Sequence, residues 1–243
     1  MKCLFFYDYT GIMAQPWLDA GHECILVDGQ HMTGLQRDSQ NPRLSRWGLW
    51  VDAFSDMSGT VKSIIDILPN VDFIFGFPEC TDLAVSGATH FKSKREKDPD
   101  FQNKAIANAL LIEELGKAYA CPWAFENPVS VISTKYRKFD HTFHPYEYGK
   151  YLPLDDIHPS YPDYIAARDA YPKKTCIWAG NGFIMPDKKP LDNIRAGYSD
   201  QHLKLGGKSL KTKNIRSATP RGFAKAVAVM NIEELQNKNA IIN

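Results

Sequence analysis

The chain has 243 residues, 23% of them charged and 44% hydrophobic, and a formal net charge of +1. That composition supports one globular domain with a full core and excludes fibrous, low-complexity and disulfide-framework classes. No apolar run approaches the roughly 20 residues of a spanning helix, and Met1 to Phe6 runs straight into Tyr7-Asp8 without the features of a signal peptide. The expectation is a cytoplasmic protein with no membrane partner.

The small net charge hides an asymmetry. Residues 1–90 carry a net charge of −6 and residues 171–225 one of +9. Such separation suits a first region that handles something small and a second that meets a polyanion, unless the second is only a solvated lysine-rich face. Five cysteines form no C-x-x-C pair and are odd in number, so neither zinc nor a disulfide framework is expected. Cys3, Cys24, Cys121 and Cys176 lie in apolar stretches and read as core; Cys80 alone has a polar, loop-like setting. His141, His144 and His158 have no matching cysteine or carboxylate spacing, so no metal is expected.

In chain order, Cys3–Tyr7 reads as a strand, 12–20 as a short helix ended by Gly21, and Cys24–Val27 as the next strand. Leu49-Trp50-Val51 is a weaker strand candidate. Val61, Ile64, Ile65 and Leu68 share one helix face, and Pro69-Asn70 stops that helix. A strand over 71–76, a long helix over 101–119 and a strand over 121–125 follow. The run 129–172 breaks the pattern with many tyrosines and prolines, and is expected to be a loop-rich insertion. Strand character resumes at Lys174–Trp178, and Thr219-Pro220-Arg221-Gly222-Phe223-Ala224 opens a last helix. Strands alternating with helices imply an α/β fold with a mostly parallel, doubly wound sheet in one domain over 1–243.

The chemistry concentrates at strand ends, where open α/β sheets bind ligands. Apolar residues 71–76 lead into Phe77-Pro78-Glu79-Cys80-Thr81-Asp82, and 121–125 lead into Glu126-Asn127-Pro128. A cysteine nucleophile and a carboxylic acid on neighbouring strand ends can add to an electron-poor ring and protonate it together. At the first strand tip, Tyr9-Thr10-Gly11 forms a turn in which glycine lets backbone approach a ligand. Asp28, at the end of strand two, stands where a carboxylate binds ribose hydroxyls, although a turn aspartate is the plainer reading of it alone. Asp52 could accept from an adenine amino group. The ordered set Gly11, Asp28, Asp52 suits an adenosine-bearing cofactor.

Tyr9-Thr10-Gly11, Val27-Asp28, Asp52, Pro78-Glu79-Cys80-Thr81, Glu126-Asn127-Pro128 and Thr219–Ala224 occur in the order shown by DNA cytosine-5 methyltransferases. The chain resembles the short, phage-type members of that family over roughly 3–235. The resemblance implies a Rossmann-like class I methyltransferase sheet, S-adenosylmethionine as donor, S-adenosylhomocysteine as product and DNA as partner. It implies that Cys80 attacks a flipped-out cytosine, Glu126 protonates it and Asn127 holds the loop. Tyr9, Thr10, Gly11, Asp28, Asp52 and Pro78 would then line the cofactor site.

Lys173, Lys174, Lys208, Lys211, Lys213 and Arg221 are the expected phosphate contacts. Tyr136, Tyr146, Tyr148, Tyr151, Tyr161, Tyr164 and Tyr171 could stack on bases or pack a loop. The chain also departs from the family pattern. Glu79 replaces a second proline, Lys173-Lys174-Thr175 only approximates an arginine motif, and Ile12-Met13-Ala14 stand where glycines are common. Two other readings follow from these departures: transfer of a different group or action on an unusual cytosine substrate, and a non-catalytic DNA-binding relative.

Overall fold

The computed structural model describes residues 1–242 except 195, 196, 198 and 208. The strands are β1 (Lys2–Phe6), β2 (Glu23–Val27), β3 (Gly34–Arg37), β4 (Leu44–Gly48), β5 (Phe73–Gly76), β6 (Trp123–Pro128), β7 (His141–Phe143) and β8 (Thr175–Gly180). The helices are α1 (Gln15–Asp19), α2 (Met57–Ile67), α3 (Phe91–Lys97), α4 (Phe101–Tyr119), α5 (Ile132–Lys135), α6 (Asp200–Lys204), α7 (Leu210–Ser217) and α8 (Arg221–Ile242). They gather into two compact units. The first holds residues 1–9, 18–142 and 175–183; the second holds 10–17, 143–174 and 184 onward. The stretch 129–172 therefore divides at Thr142.

An eight-stranded sheet in the order β3-β4-β2-β1-β5-β6-β8-β7 organises the first unit. β4, β2, β1, β5 and β6 pair in parallel, while β3 and β8 run antiparallel to their partners β4 and β6. This is the expected α/β, mostly parallel, Rossmann-like sheet, with strand order reversing between β1 and β5. Its strands read as continuous apolar runs because both faces are buried: Cys3, Leu4, Phe5 and Phe6 are all inaccessible.

Three strand boundaries differ from the sequence expectation. The third parallel strand is 44–48, not 49–51, because Leu44 and Trp47 pair with Cys24 and Val27 and are buried. Its antiparallel neighbour β3 carries Gly-Leu-Gln-Arg on an edge, with one apolar residue to announce it. Glu126-Asn127-Pro128 lie within β6 rather than beyond it, since Glu126, Asn127 and Pro128 pair with Ile177, Cys176 and Thr175 of β8.

Helix α4 sets the position of β5 and β6. Its buried Ile106, Ala109, Ile112 and Leu115 recur at helical spacing and enter one core with Ile74, Phe125 and Trp178. A side chain on Gly76 would sit 2.6 Å from Ile112 Cγ1, so glycine there is what lets α4 close on the end of β5. Trp123, Phe125 and Trp178 stack across β6 and β8, with successive centroids 6.3 and 5.2 Å apart. α2 begins at Asp56, whose Oδ1 accepts from Gly59 N at 2.8 Å.

In the second unit, α8 packs on residues 143–151. The Phe143 and Phe223 rings stack at 3.9 Å, and Tyr148 meets Phe223 edge-on at 5.2 Å. Tyr148 and Tyr171 are buried, so these two tyrosines pack the fold and offer no ring to a base. Arg168 and Asp169 both take left-handed backbone, a conformation that costs non-glycine residues on the order of 1–3 kcal/mol each. The strain places the Asp169 carboxylate on Gly222 N at 2.8 Å, in the first turn of α8. Arg221 pairs with Asp156, and buried His158 accepts through Nδ1 from Ser160 N and Tyr161 N.

Two buried groups in this cluster titrate in opposite senses. Burial raises Asp169 to about 6 despite the Gly222 hydrogen bond, and burial together with Arg221 lowers His158 to about 4. A raised carboxylate means the folded unit gains stability as pH falls through 6 towards the unfolded value. A lowered histidine means it loses stability as pH falls from 6.5 to 4. The two dependences offset each other, each on the order of 3 kcal/mol at most. Relative to wild type, Asp169→Asn should lose stability between pH 6 and 4, and His158→Gln should gain it. Urea unfolding across that range checks both signs.

Candidate active site at the strand ends

The C-terminal ends of β4, β2, β1, β5 and β6 lie side by side in register: Val27 with Trp47, Phe6 with both Val27 and Gly76, and Gly76 with Phe125. The order reverses between β1 and β5, which in open α/β sheets makes a ligand crevice outside those ends. The structure places the sequence-predicted residues of the first unit along this one edge.

On the β5–β6 side, Cys80 emerges four residues beyond Gly76 and is exposed. Its carbonyl accepts from Leu83 N at 3.0 Å and Ala84 N at 2.8 Å, closing a tight turn. That turn is laced to the chain leaving β6. Val85 N donates to Val129 O, Val131 N donates to Leu83 O, and Ala84 bridges Ser130. Asn127 is 1% exposed and its Nδ2 donates to Pro78 O at 2.9 Å. Glu126, partly buried in β6, lies on the face of Ala124, opposite to that of Phe125 and Asn127.

The carboxylate of Glu79 accepts from the Thr81 hydroxyl at 2.7 Å. Outside the strands, Lys94 Nζ reaches Asp82 Oδ1 at 2.5 Å and Thr81 O at 2.9 Å. Buried Gln102 of α4 donates to Asp82 O at 3.4 Å. Sequence reasoning missed both braces. Their only signal was a lysine and a glutamine on the helices following the loop.

On the β1–β2–β4 side, Tyr7 takes left-handed backbone straight after β1 and its hydroxyl donates to Asn108 O at 2.9 Å. Tyr9 stacks on His31 at 5.3 Å, and burial lowers the His31 pKa. Asp28 follows β2 directly; its N donates to Trp47 O and its Oδ1 accepts from Gln30 N at 2.7 Å. Asp52 is exposed, and its carboxylate accepts from the Ser55 hydroxyl at 2.6 Å and Ser55 N at 3.2 Å; these bonds lower its pKa. Buried Asp8, two residues past β1, was not anticipated, although an acid following an apolar run is visible in the sequence.

The remaining expected residues belong to the second unit. Gly11 has φ 71, and Thr10 Oγ1 accepts from Ile12 N at 3.4 Å. Lys173 donates to Arg216 O at 3.0 Å, and Lys174, Lys211 and Lys213 are exposed. Arg221, also an expected phosphate contact, pairs with Asp156. Lys208 lies outside the described residues. Among the described residues no cluster of histidine, cysteine and carboxylate side chains could hold a metal, and no helix is long and apolar enough to cross a membrane.

The observed class is thus an α/β protein with a mostly parallel sheet, and the candidate residues of the first unit lie at the C-terminal ends of its strands. No family model matches the chain, and no curated protein matches it. Among solved structures it is similar to a prophage-encoded E. coli protein provisionally assigned as a DNA modification methyltransferase. The TM-score is 0.40 and the identity 12%, over 74% of this chain and 46% of that one. The chain spans less than half of that protein's length.

The Asn127–Pro78 contact generates a direct expectation. Asn127→Ala leaves a buried carbonyl without its donor, at a cost of about 1–3 kcal/mol. Thermal unfolding should show that loss. Amide exchange should quicken over residues 80–85 more than over β1.

Proposed function

We propose that this chain is an S-adenosylmethionine-dependent DNA cytosine-5 methyltransferase. The observation that carries the proposal is the lacing of the Cys80 turn to the chain leaving β6, which keeps a thiol and the Glu126 carboxyl on adjacent strand ends. Cytosine carbon 5 is too weak a nucleophile to take a methyl group unaided. Attack of the Cys80 sulfur on carbon 6 of a base flipped out of the duplex places an electron pair on carbon 5. Glu126 donates a proton to ring N3 in that step, which lowers the barrier to addition. After transfer, loss of the carbon 5 proton, expulsion of the Cys80 sulfur and return of the N3 proton to Glu126 restore the aromatic ring and the acid.

The donor, when bound, supplies an electrophilic methyl group. The residues on the other side of the switch point fit its nucleoside part. Asp28 spends Oδ1 on Gln30 N and offers Oδ2 to ribose hydroxyls. Each Asp52 oxygen already accepts from Ser55 and retains a second lone-pair site for an exocyclic amino group. Tyr9, Thr10, Gly11 and Pro78 complete the proposed cofactor set. DNA phosphates fall to Lys173, Lys174, Lys208, Lys211 and Lys213, in the basic part of the chain. Asn127 acts as a positioning residue through the Pro78 carbonyl.

DNA containing 5-fluorocytosine blocks the final proton loss and should trap the protein. With S-adenosylmethionine present, wild type is expected to form a denaturation-resistant adduct visible on a gel. Cys80→Ser should form none, and Glu126→Gln should form it at least tenfold more slowly. An adduct that persists in Cys80→Ser would remove Cys80 from the chemistry.

A further inference from the structure

We propose that Asn108, in the middle of α4, is a positioning residue for the donor half of the site. The inference rests on the reading that Asp28 and Asp52 hold an adenosine-bearing donor, and it adds the residue that fixes where their turns stand. Asparagine is a poor helix former, yet Asn108 stands inside a 19-residue helix, between Ala107 and Ala109. What it holds there accounts for it.

Two hydrogen bonds reach this residue from the strand ends. Its side-chain Oδ1 accepts from Ala53 N at 3.1 Å, and its main-chain carbonyl accepts from the Tyr7 hydroxyl at 2.9 Å. Ala53 directly follows Asp52 and is 2% exposed, so the first bond seats the turn beyond β4 from its buried side. Tyr7 directly follows β1, and its own N donates to Val27 O at 2.6 Å, next to Asp28. Asn108 therefore joins the turn that carries Asp52 to the strand tips beside Asp28.

The bonds of Asp52 itself do not set that position. Its carboxylate accepts from the Ser55 hydroxyl and Ser55 N, and both bonds stay inside the turn. Lys104, one turn before Asn108 on the same face of α4, adds an attraction to the Asp52 carboxylate that is weaker than the Ser55 bonds. One helix face thus meets the turn twice, by a hydrogen bond and by a charge. Because the Ala53 bond is to a side chain, removing it leaves the helix backbone and the Tyr7 bond in place. The Cys80 turn is braced from a different part of α4, by Gln102 near its start. A loss at Asn108 should therefore reach the donor and spare the thiol.

Calorimetry with S-adenosylhomocysteine, steady-state methyl transfer to DNA and iodoacetamide labelling test this. Cys80 is the exposed cysteine and the other four are buried, so the labelling rate reads the thiol alone. Asn108→Ala should weaken S-adenosylhomocysteine about threefold to tenfold and raise KM for S-adenosylmethionine by a similar factor, with kcat and labelling rate within about twofold of wild type. Asn108→Asp keeps an oxygen for Ala53 N and should recover most of the affinity. Where the alanine variant does not fold, Asn108→Leu, of similar volume, takes its place with the same expectation. If wild type binds S-adenosylhomocysteine and Asn108→Ala binds it equally well, the positioning role is overturned and the donor reading stands. Equal weakening in Asn108→Asp, or a labelling rate that rises together with the loss of affinity, makes the residue merely structural and also overturns the role. If wild type binds no S-adenosylhomocysteine, the donor reading fails and takes the positioning role with it.

Discussion

One buried hydrogen bond, from Asn127 Nδ2 to the Pro78 carbonyl, joins the two halves of the candidate chemistry. It crosses from inside β6 to the loop after β5, two residues before Cys80. The backbone lacing of residues 83–85 to 129–131 extends the same connection. Such a tie matters for catalysis because a positioned pair of groups converts an encounter between reactants into an intramolecular step.

The rest of the first unit supports that strand end. Gly76 admits Ile112, so α4 lies close on β5, and α4 also carries Gln102, which braces the Cys80 loop. The column of Trp123, Phe125 and Trp178 holds β6 between β5 and β8. The core therefore sets the register of β5 against β6, and register sets which residues face each other at the edge. Across the switch point, Asp28 and Asp52 are both tied into turns by their own carboxylates. The acidic first part of the chain and the basic 171–225 segment divide the proposed labour between a small cofactor and a polyanion.

Much of this was legible in the sequence because it rests on long-range periodicity. The α4 boundaries at 101 and 119 follow from apolar spacing alone, and burial of Cys3, Cys24, Cys121 and Cys176 follows from their apolar surroundings. Placement of Cys80 on an exposed turn was readable from the polar residues around it. The third strand was misplaced because Leu49-Trp50-Val51 is more apolar than Leu44-Ser45-Arg46-Trp47-Gly48, yet pairing with β2 selected the latter. Glu126-Asn127-Pro128 read as loop because a proline ends it, but Pro128 sits at the last pairing position of β6. The Arg221–Asp156 pair joins residues 65 apart, and nothing local announces a contact of that kind.

The central claim is that this active-site arrangement transfers a methyl group to cytosine carbon 5. Its most direct test is mass spectrometry of nucleosides digested from DNA incubated with the protein and S-adenosylmethionine. The account predicts 5-methyldeoxycytidine with wild type and none with Cys80→Ala. A cytosine carrying some other substituent, or unmodified DNA from folded protein that binds both DNA and donor, would contradict it.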